Sequence, residues 1–284
     1  MQKSLEVGGE KIILDRPVVM GILNVTADSF YDGGKYTSEL KLIERGHQIV
    51  EEGAAIIDVG ACSTRPGATL VEEKEELSRL TYAVERIRRY FPRLPISIDT
   101  FRANVAREIN HCLGAVIVND ISGGTLDPSM FETVARLDVP YVLTHIQGVP
   151  YDMQDTPCYE NVVAEVREFF IERVARLRAL GFDKIILDQG FGFGKSMAHN
   201  YELMNRMDSF LALSYPLLVG ISRKTMIWKH LGITPDEALN GTTVLNTIAL
   251  MKGASILRVH DVKEAVEAVA LYSALKIENP ERVI

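Results

Sequence analysis

Residues 184–195 read KIILDQGFGFGK: a short apolar run, an acid, then glycines alternating with phenylalanine and a closing lysine. An uninterrupted apolar run of this length fits a strand covered on both faces, as in a parallel sheet. The glycine-rich continuation fits a loop at the strand's carboxyl end. The same arrangement recurs along the chain, with apolar runs at 18–23, 55–59, 96–98, 115–118, 141–144, 217–219 and 255–259. Between the runs lie stretches with helical period. In 161–180, Val163, Val166, Phe170, Val174 and Leu177 fall three or four apart, and Gly181 supplies a stop. Leu40, Ile43, His47 and Val50 do the same ahead of Gly53, and 262–276 reads as a last amphipathic helix with Asp261 as its N-cap. Eight strands alternating with helices predict an α/β fold. The count favours a closed (β/α)8 TIM barrel over a doubly wound open sheet, and no GxGxxG follows the first strand.

The chain has 284 residues, with 31 Lys and Arg against 38 Asp and Glu, a formal net charge of −7. An α/β barrel commonly needs roughly 250 residues, and no low-complexity linker or shift in composition divides the sequence. Residues 1–284 are therefore expected to form one barrel domain, with 1–17 as a short N-terminal extension, a hairpin around Gly8-Gly9 covering the barrel floor. The acidic balance and scattered basic residues argue against a nucleic-acid surface. Cys62, Cys112 and Cys158 show no CxxC spacing, which suits a reducing cytoplasm and not a zinc site or disulfide framework. No apolar run approaches the ~18 residues of a membrane span, and the opening MQKSLEVGGEK has no signal-peptide core. A cytoplasmic location without a membrane partner is the expectation.

Polar and glycine-rich segments collect where the apolar runs end, which in a barrel is a single mouth and the place where barrel enzymes keep their chemistry. Asp99 and Asp188 each end a run, where an ionised carboxylate needs partners to offset desolvation. A flat heterocycle presenting paired N–H groups would give one of them a bidentate partner; an N-cap on the following helix is the alternative, most open for Asp99. Asn119 can donate and accept at once, as ring nitrogens require, or serve as a turn residue. Arg223 and Lys224 follow the seventh run, Arg258 lies within the eighth and His260 at its end. With Arg65, beside the hydroxyls of Ser63 and Thr64, they suggest a site for phosphate or diphosphate, although Arg258 could instead pair with a structural carboxylate. The amide oxygen of Asn24 could complete the shell of a magnesium ion otherwise held by phosphate and water. Gly194-Lys195-Ser196 has the tail of a P-loop, but Gln189 stands where its first glycine belongs.

The segments GILNVTADSFYDGG (21–34), STRPGA (63–68), SIDT (97–100), VNDISGG (118–124), DQGFGFGKS (188–196), ISRKTMI (221–227) and RVHD (258–261) resemble, in order, the motifs of the bacterial dihydropteroate synthases. These are (β/α)8 barrels of the pterin-binding group. The resemblance implies condensation of (7,8-dihydropterin-6-yl)methyl diphosphate with 4-aminobenzoate, giving 7,8-dihydropteroate and diphosphate in tetrahydrofolate biosynthesis. It also implies Mg2+, competition by sulfonamides and a homodimer. Carried onto this sequence, it assigns the pterin to Asp99, Asn119, Asp188, Lys224 and Ile146. Diphosphate falls to Asn24, Arg65, Arg258 and His260, with Asn24 also on the metal. The 4-aminobenzoate falls to Thr64, Arg65, Phe193 and Thr225, and Asp99, Lys224 and Arg258 are the implied catalytic residues. Loops 24–37 and 61–70 would close over the site. The course implied is SN1-like, through a pterin methylene cation that Asp99 stabilises.

This sequence departs from the family pattern at Ala27 and Gln189, where proline is usual, at Ala61-Cys62 in place of Gly-Glu, and at Thr144-His145-Ile146 in place of Met-His-Met. A methyltetrahydrofolate–corrinoid methyltransferase is the enzyme rival, but it has no use for the cations Arg65, Arg258 and His260. A pterin-binding paralogue without catalysis is the second rival.

Overall fold

The computed structural model describes residues 4–25, 35–61, 71–149, 153 and 157–276, with the backbone alone for 35–38. The chain opens with an antiparallel hairpin, β1 (Ser4–Val7) and β2 (Glu10–Ile13), turned at Gly8 and Gly9 with φ of 59° and 84°. Two consecutive left-handed residues suit a tight hairpin turn, and glycine adopts them without steric cost. There follow β3 (Val18–Asn24), α1 (Lys35–Glu51), β4 (Ile56–Gly60), α2 (Glu73–Tyr90), β5 (Ile96–Asp99), α3 (Ala103–Leu113) and β6 (Ile117–Asp120). The second half runs α4 (Met130–Leu137), β7 (Tyr141–Thr144), α5 (Val162–Ala179), β8 (Ile185–Asp188), α6 (Met197–Asn205) and a 3-10 turn, Met207–Leu213. It ends with β9 (Leu217–Val219), α7 (Thr225–Leu231), α8 (Leu239–Met251), β10 (Ile256–Val259) and α9 (Val262–Leu275).

Strands β3 to β10 are all parallel and close into a barrel, with β10 hydrogen-bonded to both β3 and β9. The expected (β/α)8 barrel is what forms, and each strand lies within two residues of its apolar run. Helix α5 shows why the sequence folds as it does locally. Asn161 caps it, its side chain accepting from Ala164 N at 2.9 Å. Val162, Val166, Phe170, Val174 and Leu177 form its buried stripe, and Gly181 follows at φ 77°. Asp261 stands at the N-cap position of α9 but makes no capping bond, because its carboxylate pairs with Arg223. The expected N-cap position is occupied as read, without the side-chain bond.

Alternation along the strands separates two cores. Residues turned outward pack against the helices in the larger cluster. Residues turned inward at the amino ends (Met20, Ile56, Ile117, Val142, Ile186, Leu218 and Ile256) form a second cluster with Leu5, Val7 and Ile12 of the hairpin. The extension thus plugs the barrel floor, as its sequence suggested. One pleat above this floor, two residues beyond six of these seven strand residues, the inward positions change character: Asp58, Asn119, Thr144, Asp188, Gly220 and Arg258, while Met20 is followed by the apolar Ile22. The apolar floor keeps water from the lower end, so the polar layer above it opens only toward the carboxyl-terminal mouth.

Leu5 is fully buried in that plug. Leu5→Ala is expected to lower unfolding free energy by about 2–5 kcal/mol, measured by urea denaturation, with the remote mouth chemistry little changed. A loss below ~1 kcal/mol would show that the hairpin does not seal the floor.

Candidate active site

Arg258 occupies the centre of the mouth. Its Nε donates to Asp58 Oδ2 at 2.6 Å and its Nη2 to Asp99 Oδ2 at 2.9 Å. Asn119 Nδ2 donates to the same Asp58 oxygen at 3.2 Å. Both carboxylates are buried, Asp58 fully and Asp99 at 8 % exposure. The strand ends bring the other groups alongside. A Cβ built on Gly60 would lie 3.3 Å from Asn24 Oδ1 and 3.6 Å from Asp99 Cβ. One built on Gly220 would lie 3.9 Å from both Arg258 Cβ and Asp188 Oδ2. Asn24, Asp99, Asn119, Asp188, Arg258 and Lys224 therefore share one basin.

Asp188 ends β8, and its Oδ1 accepts from Gly190 N at 2.8 Å. Lys224, at the N-cap of the short α7, donates to the carbonyl of Phe191, and its ammonium lies 4.5 Å from the centroid of the Phe193 ring. Phe193 is half-buried and Thr225 exposed at the same rim. Ile146 is buried in the turn after β7, outside both apolar clusters. Asn24 is exposed at the end of β3. His260 Nδ1 lies 3.0 Å from Ser222 Oγ, and its carbonyl accepts from Arg45. Thr64 and Arg65, the departures at Ala27 and Cys62, and most of both expected closing loops lie outside the described residues.

Burial sets the charge states. It pushes the Asp99 carboxyl up to about 7, with the Arg258 guanidinium pulling the other way. It raises Asp188 against the nearby Lys224 ammonium, and lowers Lys224 to about 8 against the Asp188 carboxylate. His260 is lowered to about 4 by burial and by the charge of Arg258. Burial disfavours charge on Arg258 too, but the carboxylates of Asp58 and Asp99 outweigh it and keep the guanidinium protonated.

Some expectations are corrected. Asp99 is not a helix cap: the first turn of α3 is met by Asp127, whose Oδ2 accepts from Ala103 N at 2.8 Å. Arg223 does not serve the mouth. Its backbone is left-handed at φ 54°, and its guanidinium donates to Asp261 and to the carbonyls of Pro235 and Asp236. The two readings of Arg258 are not exclusive, since its carboxylate partners themselves line the basin. Gln189 is fully buried with neither side-chain amide atom hydrogen-bonded.

Three residues went unassigned in the sequence. Asp58 had a visible signal, an acid inside the buried strand IIDVG. Lys195, buried in the glycine loop, was masked by its likeness to a P-loop tail. Glu76 gave no signal: it is an acid on an amphipathic helix, yet it is 1 % exposed, accepts from Thr100 Oγ1 at 2.5 Å and pairs with Arg102.

A TIM barrel whose mouth lines up three buried acids, two amides and two cations defines an enzyme built to hold a flat, polar ring beside an anionic group. The sequence model of the family described as pterin binding enzyme matches residues 20–260. The dihydropteroate synthase of Escherichia coli K12 is 46% identical over 268 residues, covering 94% of each chain. The crystal structure of the Yersinia pestis dihydropteroate synthase with a sulfonamide drug complex superposes with a TM-score of 0.89 at 41% identity, covering 96% of this chain and 99% of that one. The Xanthomonas albilineans dihydropteroate synthase with 4-aminobenzoic acid gives 0.89 at 39% identity, covering 98% and 100%. The chain belongs to the dihydropteroate synthase family of pterin-binding enzymes.

Arg258→Met would leave two buried carboxylates without their cation, a loss of about 3–5 kcal/mol for a broken buried pair. Asp99 is ionised in the folded protein only above about pH 7. The loss should therefore be larger at about pH 8.5 than at about pH 6, as read from urea unfolding. A pH-independent loss would separate Asp99 from the network.

Proposed function

We propose that the chain condenses (7,8-dihydropterin-6-yl)methyl diphosphate with 4-aminobenzoate, releasing 7,8-dihydropteroate and diphosphate for tetrahydrofolate biosynthesis. The observation that carries this reading is the pairing of Asp99 with Arg258 in one basin with Asp188, Asn119 and Lys224. Asp188 accepts a bidentate pair of N–H donors from the pterin edge, Asn119 bonds to ring nitrogens and Lys224 donates to a ring acceptor. Ile146 packs on the ring face.

As the C–O bond to diphosphate breaks, its electron pair leaves with the diphosphate and positive charge spreads over the methylene and the electron-rich ring. Asp99, ionised when that cation develops, stabilises it electrostatically without bonding to it. Arg258 meets the leaving diphosphate, to which the family resemblance also assigns Arg65. His260 is held neutral by burial and so offers it an N–H donor, not a cation. The arylamine lone pair then forms the C–N bond, and its surplus proton passes to solvent. Phe193 and Thr225 flank that side, to which the resemblance also assigns Thr64 and Arg65, and a sulfonamide would compete there.

The donor chemistry at Asn24 fits magnesium. An exposed neutral amide oxygen at the mouth suits a hard cation that takes most of its oxygens from phosphate and water. When bound, the ion would neutralise diphosphate charge and make it a better leaving group. We also propose that the enzyme works in the cytoplasm as one barrel domain and pairs with a second copy through α8 and α9. Val244, Met251, Leu271 and Leu275 are 50 %, 68 %, 72 % and 81 % exposed there, an apolar face a partner would cover.

Diphosphate release measured with and without 4-aminobenzoate tests the reading: a synthase gives amine-dependent release and dihydropteroate, whereas the methyltransferase or a binding paralogue gives neither. The profile of kcat/KM should rise through about pH 7 as Asp99 ionises and fall above about pH 8 as Lys224 loses its proton. Asp99→Asn should remove the rising limb, and a profile flat across this range would disprove the assignment of both groups. Lys224→Ala should weaken pterin binding roughly tenfold or more, since a hydrogen bond to a charged group contributes about 1.5–3 kcal/mol. Phe193→Leu should instead raise the KM for 4-aminobenzoate and the sulfonamide inhibition constant. Equal losses for all ligands would place Phe193 elsewhere.

A further inference from the structure

Lys195 plays no part in the chemistry above, yet it is the most enclosed cation of the mouth, 2 % exposed. Its Nζ lies 3.0 Å from Gly190 O, 2.9 Å from Phe193 O, 3.2 Å from His145 O and 2.8 Å from His145 Nδ1. Four acceptors converge on one nitrogen, three of them backbone carbonyls, which is how a protein cages a desolvated monovalent cation. Burial pulls Lys195 well below the usual lysine range, with the Asp188 carboxylate opposing it; the convergence of acceptors favours the protonated form, an ammonium with three hydrogens and no lone pair. In donating to this cage it fixes His145 as the neutral tautomer with its proton on Nε2, and burial beside Lys195 holds that ring well below the usual histidine range.

The cage is built from the loop that carries Phe193. Its carbonyls divide between the two lysines: Gly190 and Phe193 turn to Lys195, Phe191 to Lys224. Gly190 at φ 66° allows this, since a Cβ there would lie 1.9 Å from His145 O. The loop is a sheet of backbone between an inner cation and the substrate-facing one. Asn200 and Tyr159 hold its outer side, through Gly192 N at 2.7 Å and Gly194 O at 2.8 Å.

We infer that Lys195 is a positioning residue, a tethered internal cation that folds the 190–195 loop so that Phe193 stands at the arylamine side of the mouth. This rests on the synthase reading. Asp188 and Asn119 stand in strands β8 and β6 and Lys224 at the start of α7, so although Gly190 N and Phe191 O also touch Asp188 and Lys224, the pterin groups have supports outside the loop. Phe193 belongs to the loop itself, so the arylamine contact depends most on the cage.

The test uses the full-length enzyme with both substrates. Lys195→Met keeps the aliphatic stem and removes the charge; the KM for 4-aminobenzoate should rise about tenfold, since small displacements of a contact surface cost at least that much. The KM for the pterin diphosphate should stay within about twofold. In Lys195→Ala the missing stem and ammonium match n-propylammonium, which should restore the KM for 4-aminobenzoate, while tetramethylammonium, which has no N–H donor, should not. Equal rises for both substrates, no rise for either, or rescue by tetramethylammonium would overturn the inference. So would loss of folded protein in both variants that n-propylammonium does not reverse, because Lys195 would then hold the barrel and not the loop. The wild type is assayed alongside. Absence of dihydropteroate there would refute the synthase reading, whereas variants matching a working wild type refute this one.

Discussion

Arg258 lies in β10 and its two carboxylate partners in β4 and β5, so the guanidinium reaches across β3, the strand between them. That is the seam where the last strand of the barrel closes on the first. Removing three charges from water costs several kcal/mol each unless their geometry and hydrogen bonds offset it. Here the offset comes from two short charge-assisted bonds and from Asn119, which satisfies the same Asp58 oxygen. The second Asp58 oxygen is buried without a partner, and the bonds that are made span the seam, so they form only when it closes in register. The polar layer that gives the site its chemistry also specifies how the barrel ends meet, which ties the fold to the function through a single side chain.

The layering explains what was legible in the sequence. A strand buried on both faces writes itself as an unbroken apolar run, so all eight barrel strands could be found from the pattern of runs, and the hairpin plug from the Gly8-Gly9 turn. Direction within a strand follows from period two, but only once one inward residue is known. With Ile56 identified as floor, Asp58 must face the mouth; without the floor it is merely an acid in a strand. Arg223 failed for a different reason. Its direction is set by a left-handed backbone between Ser222 and Lys224, and nothing in the letters SRK separates the residue that turns to Asp261 from the one that turns to the basin. Asp261 stands at the N-cap as read, but its side chain goes to Arg223, because a carboxylate that can cap a helix can equally hold an arginine.

Side-chain partnerships among distant segments were the part that sequence could not carry. Glu76 meets Thr100 and Arg102 from a helix 24 and 26 positions away. Its pattern position marks it only as facing the barrel. Lys195 was visible but ambiguous, since a lysine after alternating glycines suits a phosphate cradle as well as a carbonyl cage. Those readings differ in which way the backbone points. N–H groups turned inward would bind an anion, whereas the structure turns carbonyls inward and fills the space with the ammonium.

The same desolvation that shapes the network opposes charge on the groups around it. Asp99 titrates at about 7, Lys224 at about 8 and His260 at about 4, each displaced toward its uncharged form. A cationic ring favours the ionised form of Asp99, and an anionic tail favours the protonated form of Lys224. The charges are then strongest when a substrate of the right polarity occupies both ends, so discrimination arises from the cost of charging the site as much as from its shape.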